Sequence, residues 1–341
     1  MNLFIYEWVC GGGYLDRLGS APDSLQREAW AMLSALVADF AALDGCQVAT
    51  LVEQAYAEGI DAKVEVRLAD SERARKSQFG KLVRQADYTV IVAPEFEGIL
   101  LGLAGRVERL GGRLLSPDAA FVEIASDKQS TYERLYKPRI ATPRGSVLMS
   151  GERFGDGMPY PIVVKPIDGC GSLGVVRHDG PGACPLESAA YRWEEFAEGL
   201  PVSVAFLCSG EHRLTLEPCV QRLNQPTDFT YLGGELPLSP EQSQRAHTLA
   251  AQAMDALPTT TGYVGVDLVL GDAPDGSDDK VIEINPRYTT SYIGLRAATE
   301  ANLAATLLSL VTDGAAAEPT FDKAVAWNAD GTLTSVESAD R

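Results

Sequence analysis

Along the first third of the chain, short apolar runs alternate with stretches of helical period. "NLFIYEWV", "CQVATLVE" and "ADYTVIVAPE" predict strands. "SLQREAWAMLSALVADFAAL" and "FEGILLGLAGRVERLGG" predict helices, and "RLLSP" resumes extended structure. Strand alternating with helix implies an open parallel sheet covered on both faces, ending near residue 117. A second pattern follows. Ser126 with Gln129 three residues on is a capping-box signal, which starts a helix at "SDKQSTYERLYK". "YPIVVKP" is a short buried strand leading into the glycine-rich "IDGCGSLGV". "AAYRWEEFAEGLPVSVAFL" holds an extended segment, a turn and a strand; "RLTLEPCVQRL" and "DFTYLGGELPL" add strands with polar ends. "PEQSQRAHTLAAQAMDAL" is a helix entered through Pro240. "GYVGVDLVL" and "KVIEINP" flank a polar loop and form a long hairpin, and "SYIGLRAATEANLAATLLSLVTDG" closes the pattern with helix. Beyond Gly314 the chain turns small and polar, so a loosely held tail is expected.

Within the hairpin, parity separates two faces, since alternate strand residues point the same way. Val264, Val266, Leu268 and Leu270 share one face with Ile282 and Ile284. Asp267, Glu283, Asn285 and Arg287 share the other. A loop centred near residue 275 puts Asp267 opposite Glu283. Two carboxylates and an amide oxygen are hard donors that suit Mg²⁺, above all when phosphates complete its shell. The neighbouring guanidinium suits a carboxylate or a transferring phosphoryl group. The bland alternative is a solvated face with a cross-strand salt bridge.

Lys165 ends an apolar strand and leads into Gly169, Gly171, Ser172 and Gly174. Such a loop lets backbone N–H groups approach phosphate oxygens, and it reads as a flap over a nucleotide or as a plain hairpin turn. No Walker A spacing is present. Lys128, in the first turn of its helix, is a cation where the helix dipole disfavours one; a bound anion would offset that, and an exposed lysine is the alternative. Glu194, Glu195 and Phe196 offer an extended wall with apolar contact for a purine, or an ordinary edge strand. "CGGGYLD" after the first strand lacks the dinucleotide spacing, because Asp16 stands where the third glycine belongs.

The 341 residues carry a formal charge of −18, which repels nucleic acid and anionic membranes. No apolar run is long enough to span a bilayer, and the first residues read as a strand instead of a signal peptide. Six scattered cysteines without metal-like spacing point to a reduced cytoplasm.

Taken in order, "SDK", "VVKP", "DGCGSLGV", "EEFAEG", "VSV", "GVDLVL" and "EINPR" resemble the ATP-grasp superfamily of carboxylate–amine and carboxylate–thiol ligases, over roughly residues 1–312. That resemblance implies a mixed α/β and α+β fold: a Rossmann-like domain over 1–117, a small ATP-grasp subdomain with the flap over 118–198, a C-terminal subdomain with the metal site over 199–314, and the tail 315–341. It implies that Lys128 and Lys165 contact ATP phosphates under the flap. Glu194, Glu195 and Phe196 match the adenine hinge, and Asp267, Glu283 and Asn285 match ligands of Mg²⁺ or Mn²⁺. Arg287 would stabilise the acyl-transfer oxyanion.

Two positions depart from the family pattern. Gly199 is followed by Leu200 and Pro201 instead of a ribose-binding acid, leaving Glu195 or Glu198 for that task. Gly265 stands where many members carry an arginine, leaving Arg287, Arg213 or Arg222. "IYEWVCGGG", "APEFEGILLGL" and "CVQRL" with "DFTYLGGELPL" resemble the tyramine–glutamate ligase group of methanofuran-type cofactor biosynthesis. This narrower resemblance implies an ADP-forming ligase joining glutamate to an amine such as tyramine or tyrosine, with Arg213, Gln221 and Tyr231 as substrate candidates and a homodimer as a family expectation. A carboxyphosphate-forming enzyme, another amino-acid ligase, and a nucleotide-binding protein without turnover are the alternatives.

Overall fold

The computed structural model describes residues 1–15, 17, 19–224 and 229–334. Asp16 and the last seven residues of the expected tail lie outside the described residues. The first layer is a parallel sheet of β1 (Asn2–Glu7), β2 (Gln47–Val52), β3 (Glu65–Leu68) and β4 (Tyr88–Val92), in the order β3-β2-β1-β4. Its covering helices are α1 (Asp23–Ala41), the short α2 (Gln54–Ala57), α3 (Glu72–Gln85) and α4 (Ile99–Arg109). In α1 the buried Ala29, Met32, Leu33, Leu36, Val37 and Phe40 recur at helical spacing and face the sheet. Neither β3 nor α3 stood out in the sequence pattern. The strand is four residues long and half exposed, and the helix is rich in charge, burying only Phe79, Gly80, Leu82 and Val83.

Two helices lead onward, α5 (Ala119–Ala125) and α6 (Lys128–Tyr136). The cap of α6 is not Ser126. Asp127 Oδ1 accepts from Ser130 N at 2.7 Å, and Gln129 donates to Glu133, so no capping box forms there. An antiparallel sheet of β5 (Gly145–Met149), β7 (Ile162–Pro166), β8 (Val176–His178) and β10 (Ala190–Glu195) follows, ordered β5-β10-β7-β8. The two-residue strands β6 (Arg153–Phe154) and β9 (Gly182–Ala183) pair beside it.

The largest sheet is antiparallel. It runs β16-β15-β11-β13-β14-β17-β18, with β12 on β11. Its strands are β11 (Leu200–Gly210), β12 (His212–Thr215), β13 (Cys219–Leu223), β14 (Tyr231–Leu236), β15 (Thr260–Leu270), β16 (Lys280–Asn285), β17 (Val325–Asn328) and β18 (Leu333–Thr334). Helix α7 (Pro240–Asp255) packs on one face. It is capped by Ser239 in a full capping box with Gln242. Val204, Val264, Val266, Leu268 and Ile284 share a core with Ala246 and Ala250 of this helix.

Helices α8 (Ser291–Ala298) and α9 (Leu303–Asp313) turn back to the first layer. Tyr292 Oη donates to Asp39 Oδ2 at 2.6 Å, and Arg296 Nε donates to the same oxygen at 2.8 Å. Tyr288, Tyr292, Leu303 and Trp327 join the core of the parallel sheet.

The tail beyond Gly314 is not loose over its whole length. Val325–Asn328 pairs with β14, and Trp327 is 0% exposed. Its indole lies where any side chain on Gly234 or Gly294 would collide with it, and Nε1 donates to Tyr231 Oη at 2.9 Å. Small residues around it masked this in the sequence. Trp327→Phe loses that bond and part of the packing, so thermal denaturation should show a loss of about 1–3 kcal/mol. An unchanged Tm would mean that the Nε1 bond and the lost ring volume contribute nothing to stability. No helix among the described residues is long and apolar enough to cross a membrane.

Candidate active site

The hairpin β15–β16 places its acids as parity predicts: Asp267 is the cross-strand partner of Glu283, and Gly265 that of Asn285. One detail differs. A bulge at Asp267/Leu268 shifts the register, so Val281, not Ile282, takes the core position, and Ile282 lines the cleft. An extra residue in one strand inverts the parity on one side of it.

Asp267 Oδ2 accepts from Asn285 Nδ2 at 2.9 Å and Oδ1 from Gln221 Nε2 at 3.0 Å. Gln221, a substrate candidate from sequence, therefore orients Asp267. Burial, then the charge of Glu283, pushes the Asp267 carboxyl up to about 6. Burial also acts to raise Glu283, but Lys128, Lys165 and Arg287 together outweigh it and hold that carboxyl below its ordinary value.

Two adjacent carboxylates that repel one another, with an amide oxygen beside them, fit a divalent cation. No group of three or more His, Cys, Asp or Glu able to hold a metal gathers among the described residues, so the Asn285 oxygen is needed to complete the set.

Lys128 pairs with Glu283, and Lys165 lies in the field of the same carboxylate. Lys128 is only 9% exposed, which rules out a solvated side chain. Its Nζ donates to Gly169 O at 2.6 Å and lies 3.4 Å from Glu283 Oε2. Burial works against its charge, yet Glu283 and Glu95 more than compensate and raise its pKa. Lys165, 3% exposed, lies 2.6 Å from Glu194 Oε2 and donates to Ile282 O at 3.3 Å. Glu194 in turn accepts from Arg192 Nε at 2.9 Å. Arg192 stands opposite Lys165 in the β7–β10 register, is 0% exposed, and stacks on Tyr132. It was missed in the sequence, although it shares the parity of Glu194. Glu194 thus holds the lysine in place.

Glu194, Glu195 and Phe196 line a mostly apolar cleft of ≈130 Å³ with Phe229, Leu268 and Ile282. Phe196 carries Arg177 over its ring at 4.4 Å and meets Phe229 at 6.2 Å between centroids. Glu195 binds Arg144 through Nε at 3.0 Å, and Glu198 is exposed outside the cleft. Between these two, Glu195 is the acid that borders the cleft.

The flap from Gly169 to Gly174 is a chain of turns, with Leu173 N donating to Cys170 O and Val175 N to Ser172 O. Gly171, Ser172 and Gly174 have φ of 59°, 59° and 72°. The left-handed backbone suits the two glycines and strains Ser172. The flap leans on the first layer, where Glu97 N donates to Asp168 Oδ2 at 2.9 Å.

Arg287 is largely buried and turned toward that layer. Its Nε donates to Glu95 Oε1 at 2.9 Å, and Nη1 to Tyr288 O at 3.3 Å. Nothing local in the sequence marks Glu95, an acid after β4, as the partner of a residue far along the chain. The other arginines are engaged elsewhere. Arg213 pairs with Asp255 and lines a different surface pocket, because the β11–β12 hairpin faces α7. Arg222 donates to Trp327 O at 2.6 Å. Tyr231 Oη accepts from Trp327 Nε1 at 2.9 Å, and burial raises its hydroxyl pKa. Neither Arg213 nor Tyr231 lines the cleft walled by Glu194, Glu195 and Phe196.

Glu7, at the end of β1, is 2% exposed and accepts from Cys10 N at 2.7 Å. Burial pushes its carboxyl up to about 7 from 4.5. A raised carboxyl stabilises the fold fully below its unfolded pKa, and that stabilisation is lost as pH rises through about 7. Glu7→Gln should therefore be more stable than the parent at pH 8, by about 1–3 kcal/mol, with the difference shrinking toward pH 4.5. Denaturant midpoints across that range check it, and a gap that widens on acidification refutes it.

The family model for the ATP-grasp domain matches residues 125–291, and that for the pre ATP-grasp 3 domain matches 46–122. A protein named tyramine–L-glutamate ligase from Methanocaldococcus fervens is 25% identical over 319 residues, covering 90% of this chain and 92% of that one. Its namesake from Methanocaldococcus jannaschii is 26% identical over 300 residues, covering 86% and 84%. Among solved structures, an ATP-grasp superfamily protein from Archaeoglobus fulgidus superposes with a TM-score of 0.74 at 23% identity, covering 96% and 92%. D-alanine–D-alanine ligase from Bacillus anthracis, complexed with ATP, gives 0.60 at 16% identity, covering 92% and 96%.

Proposed function

We propose, on the premise that this chain is an ATP-dependent C–N ligase with an ATP-grasp domain joined to a pre-ATP-grasp domain, that it joins glutamate to a primary amine of the tyramine type, in methanofuran-type cofactor biosynthesis. The observation that carries the ligase chemistry is the Asp267–Glu283 cross-strand pair with Asn285 beside it, flanked by Lys128 and Lys165. The two relatives at 25% and 26% identity support the choice of glutamate and tyramine.

The reaction runs in two displacements. A substrate carboxylate oxygen bonds to the γ-phosphorus of ATP, the bond to the β,γ-bridging oxygen breaks, and ADP leaves. The amine, as its free base after loss of the ammonium proton, then bonds through nitrogen to the acyl carbon; the carbon–oxygen bond to phosphate breaks, phosphate leaves, and the nitrogen gives up a second proton to leave the neutral amide. Positioning and charge neutralisation are the main tasks of such a site. Lys128 and Lys165 offset phosphate charge from two sides. Asp267, Glu283 and Asn285 would hold Mg²⁺ or Mn²⁺, which supplies charge neutralisation at the β- and γ-phosphates when bound. Arg287, beside the same face, stabilises the oxyanion of the second displacement. The flap excludes water from the acyl phosphate. The cleft walled by Glu194, Glu195 and Phe196 takes the adenine.

The test is phosphate release from Mg-ATP with L-glutamate and a panel of amines (tyramine, tyrosine and other amino acids), with the amide identified by mass. Release is expected only with both substrates present. Release that ignores every amine, or that follows bicarbonate, overturns the proposal.

A further inference from the structure

Glu95 occupies a place the two displacements above do not use. It follows β4, and β1 and β4 flank the point where the strand order β3-β2-β1-β4 reverses. Open parallel sheets receive ligands in the crevice at that point, beyond the carboxyl ends of their strands. Glu95 is 5% exposed. One oxygen is taken by Arg287, but Oε2 is buried with no hydrogen-bond partner among the described residues. A buried charged acceptor left unmet is costly, so the position calls for a donor from outside the fold.

A second orphan lies in the same wall. Ser126 Oγ is buried without a partner, and Ser126 and Glu95 line one cavity of ≈10 Å³ together with Lys128, Thr131, Glu283 and Asn285. That is room for about one water-sized or ammonium-sized group. Lys128 does not fill the need, since its ammonium is held by Gly169 O and Glu283. The guanidinium that meets Glu95 also has Glu7 and Glu28 in its field, so its charge is spread over several acids of the first layer.

We infer that this cavity receives the nitrogen of the amine substrate, with Glu95 Oε2 and Ser126 Oγ accepting its N–H bonds and selecting a cationic primary amine over an uncharged nucleophile; one ammonium proton then passes to Glu95 Oε2, which frees the nitrogen lone pair for attack. The inference rests on the ligase function proposed above. A nitrogen held there adjoins Glu283 and Asn285, the face on which the acyl phosphate forms.

The experiment compares two nucleophiles, tyramine, a cation at neutral pH, and hydroxylamine, which is uncharged there. Glu95→Gln keeps an oxygen for Arg287 and replaces the orphan oxygen by an N–H donor. The ratio of kcat/KM for tyramine to that for hydroxylamine should fall by at least about 30-fold. Ser126→Ala should lower the same ratio by about fivefold without lowering Tm, because the hydroxyl it removes has no partner in the fold. If Glu95→Gln does not fold, Ser126→Ala decides alone. An unchanged ratio in either folded variant means a water-filled cavity or a purely structural acid, and overturns the inference. A loss seen in the Mg²⁺ requirement instead of in the amine does the same. A parent enzyme that makes neither hydroxamate nor amide from glutamate and Mg-ATP, with any nucleophile, overturns the ligase function itself, which keeps the two failures apart.

Discussion

Asp267→Asn is expected to abolish amide formation while making the ligand-free protein more stable. The carboxylate stands opposite Glu283, and it is pushed up to about 6 by burial and by that neighbour. Replacing it with an amide removes the repulsion. Gln221 can still donate to the new carbonyl oxygen, and a rotated Asn285 amide can accept from the new NH₂. The net gain at pH 7.5 is about 1–2 kcal/mol, or a rise in Tm of about 2–4 °C. Activity should fall at least about 10³-fold, since the hard-oxygen set for the cation is broken and phosphate charge goes uncompensated. Stability and activity moving in opposite directions is the signature of an acid placed for a ligand. If Tm and turnover fall together, Asp267 is a structural residue and the metal face is misassigned.

Arg287→Met is expected to cost both stability and catalysis. The side chain is largely buried against Glu95, and Glu7 and Glu28 lie in its field. Removing one member of a buried pair leaves the other charge uncompensated, at about 3–5 kcal/mol. The double variant Glu95→Met/Arg287→Met should recover most of that, because apolar side chains of similar volume often replace a buried pair without loss. Amide formation should stay at least about 10²-fold down in both variants, since neither restores an oxyanion donor. Calorimetry with an amide assay separates the two effects. A double variant that regains activity along with stability removes Arg287 from the chemistry.

The site was legible where the rules are local. Strand parity placed Asp267, Glu283 and Asn285 on one face, and the structure pairs Asp267 with Glu283 in register. Apolar runs and helical periods located most elements, including the five-residue strand that carries Lys165. The same local rules failed at Ile282, where a one-residue bulge inverted the face. They also failed at the start of α6, where Asp127 outcompeted Ser126 as cap.

By itself, then, the sequence determined the pattern of strands and helices, the polar edge of the hairpin and the order of motifs along the chain, because each depends on residues a few positions apart. Only the tertiary structure decided which side chains those groups meet. Lys128 is buried because the flap and Glu283 close over it. Gln221 serves Asp267, and Arg213 is drawn off to Asp255. Trp327 anchors a polar-looking tail, and Glu95 reaches Arg287 across 192 positions of sequence. Burial and ion pairing are set by the segment that folds over a residue, and neighbours along the chain carry no record of it.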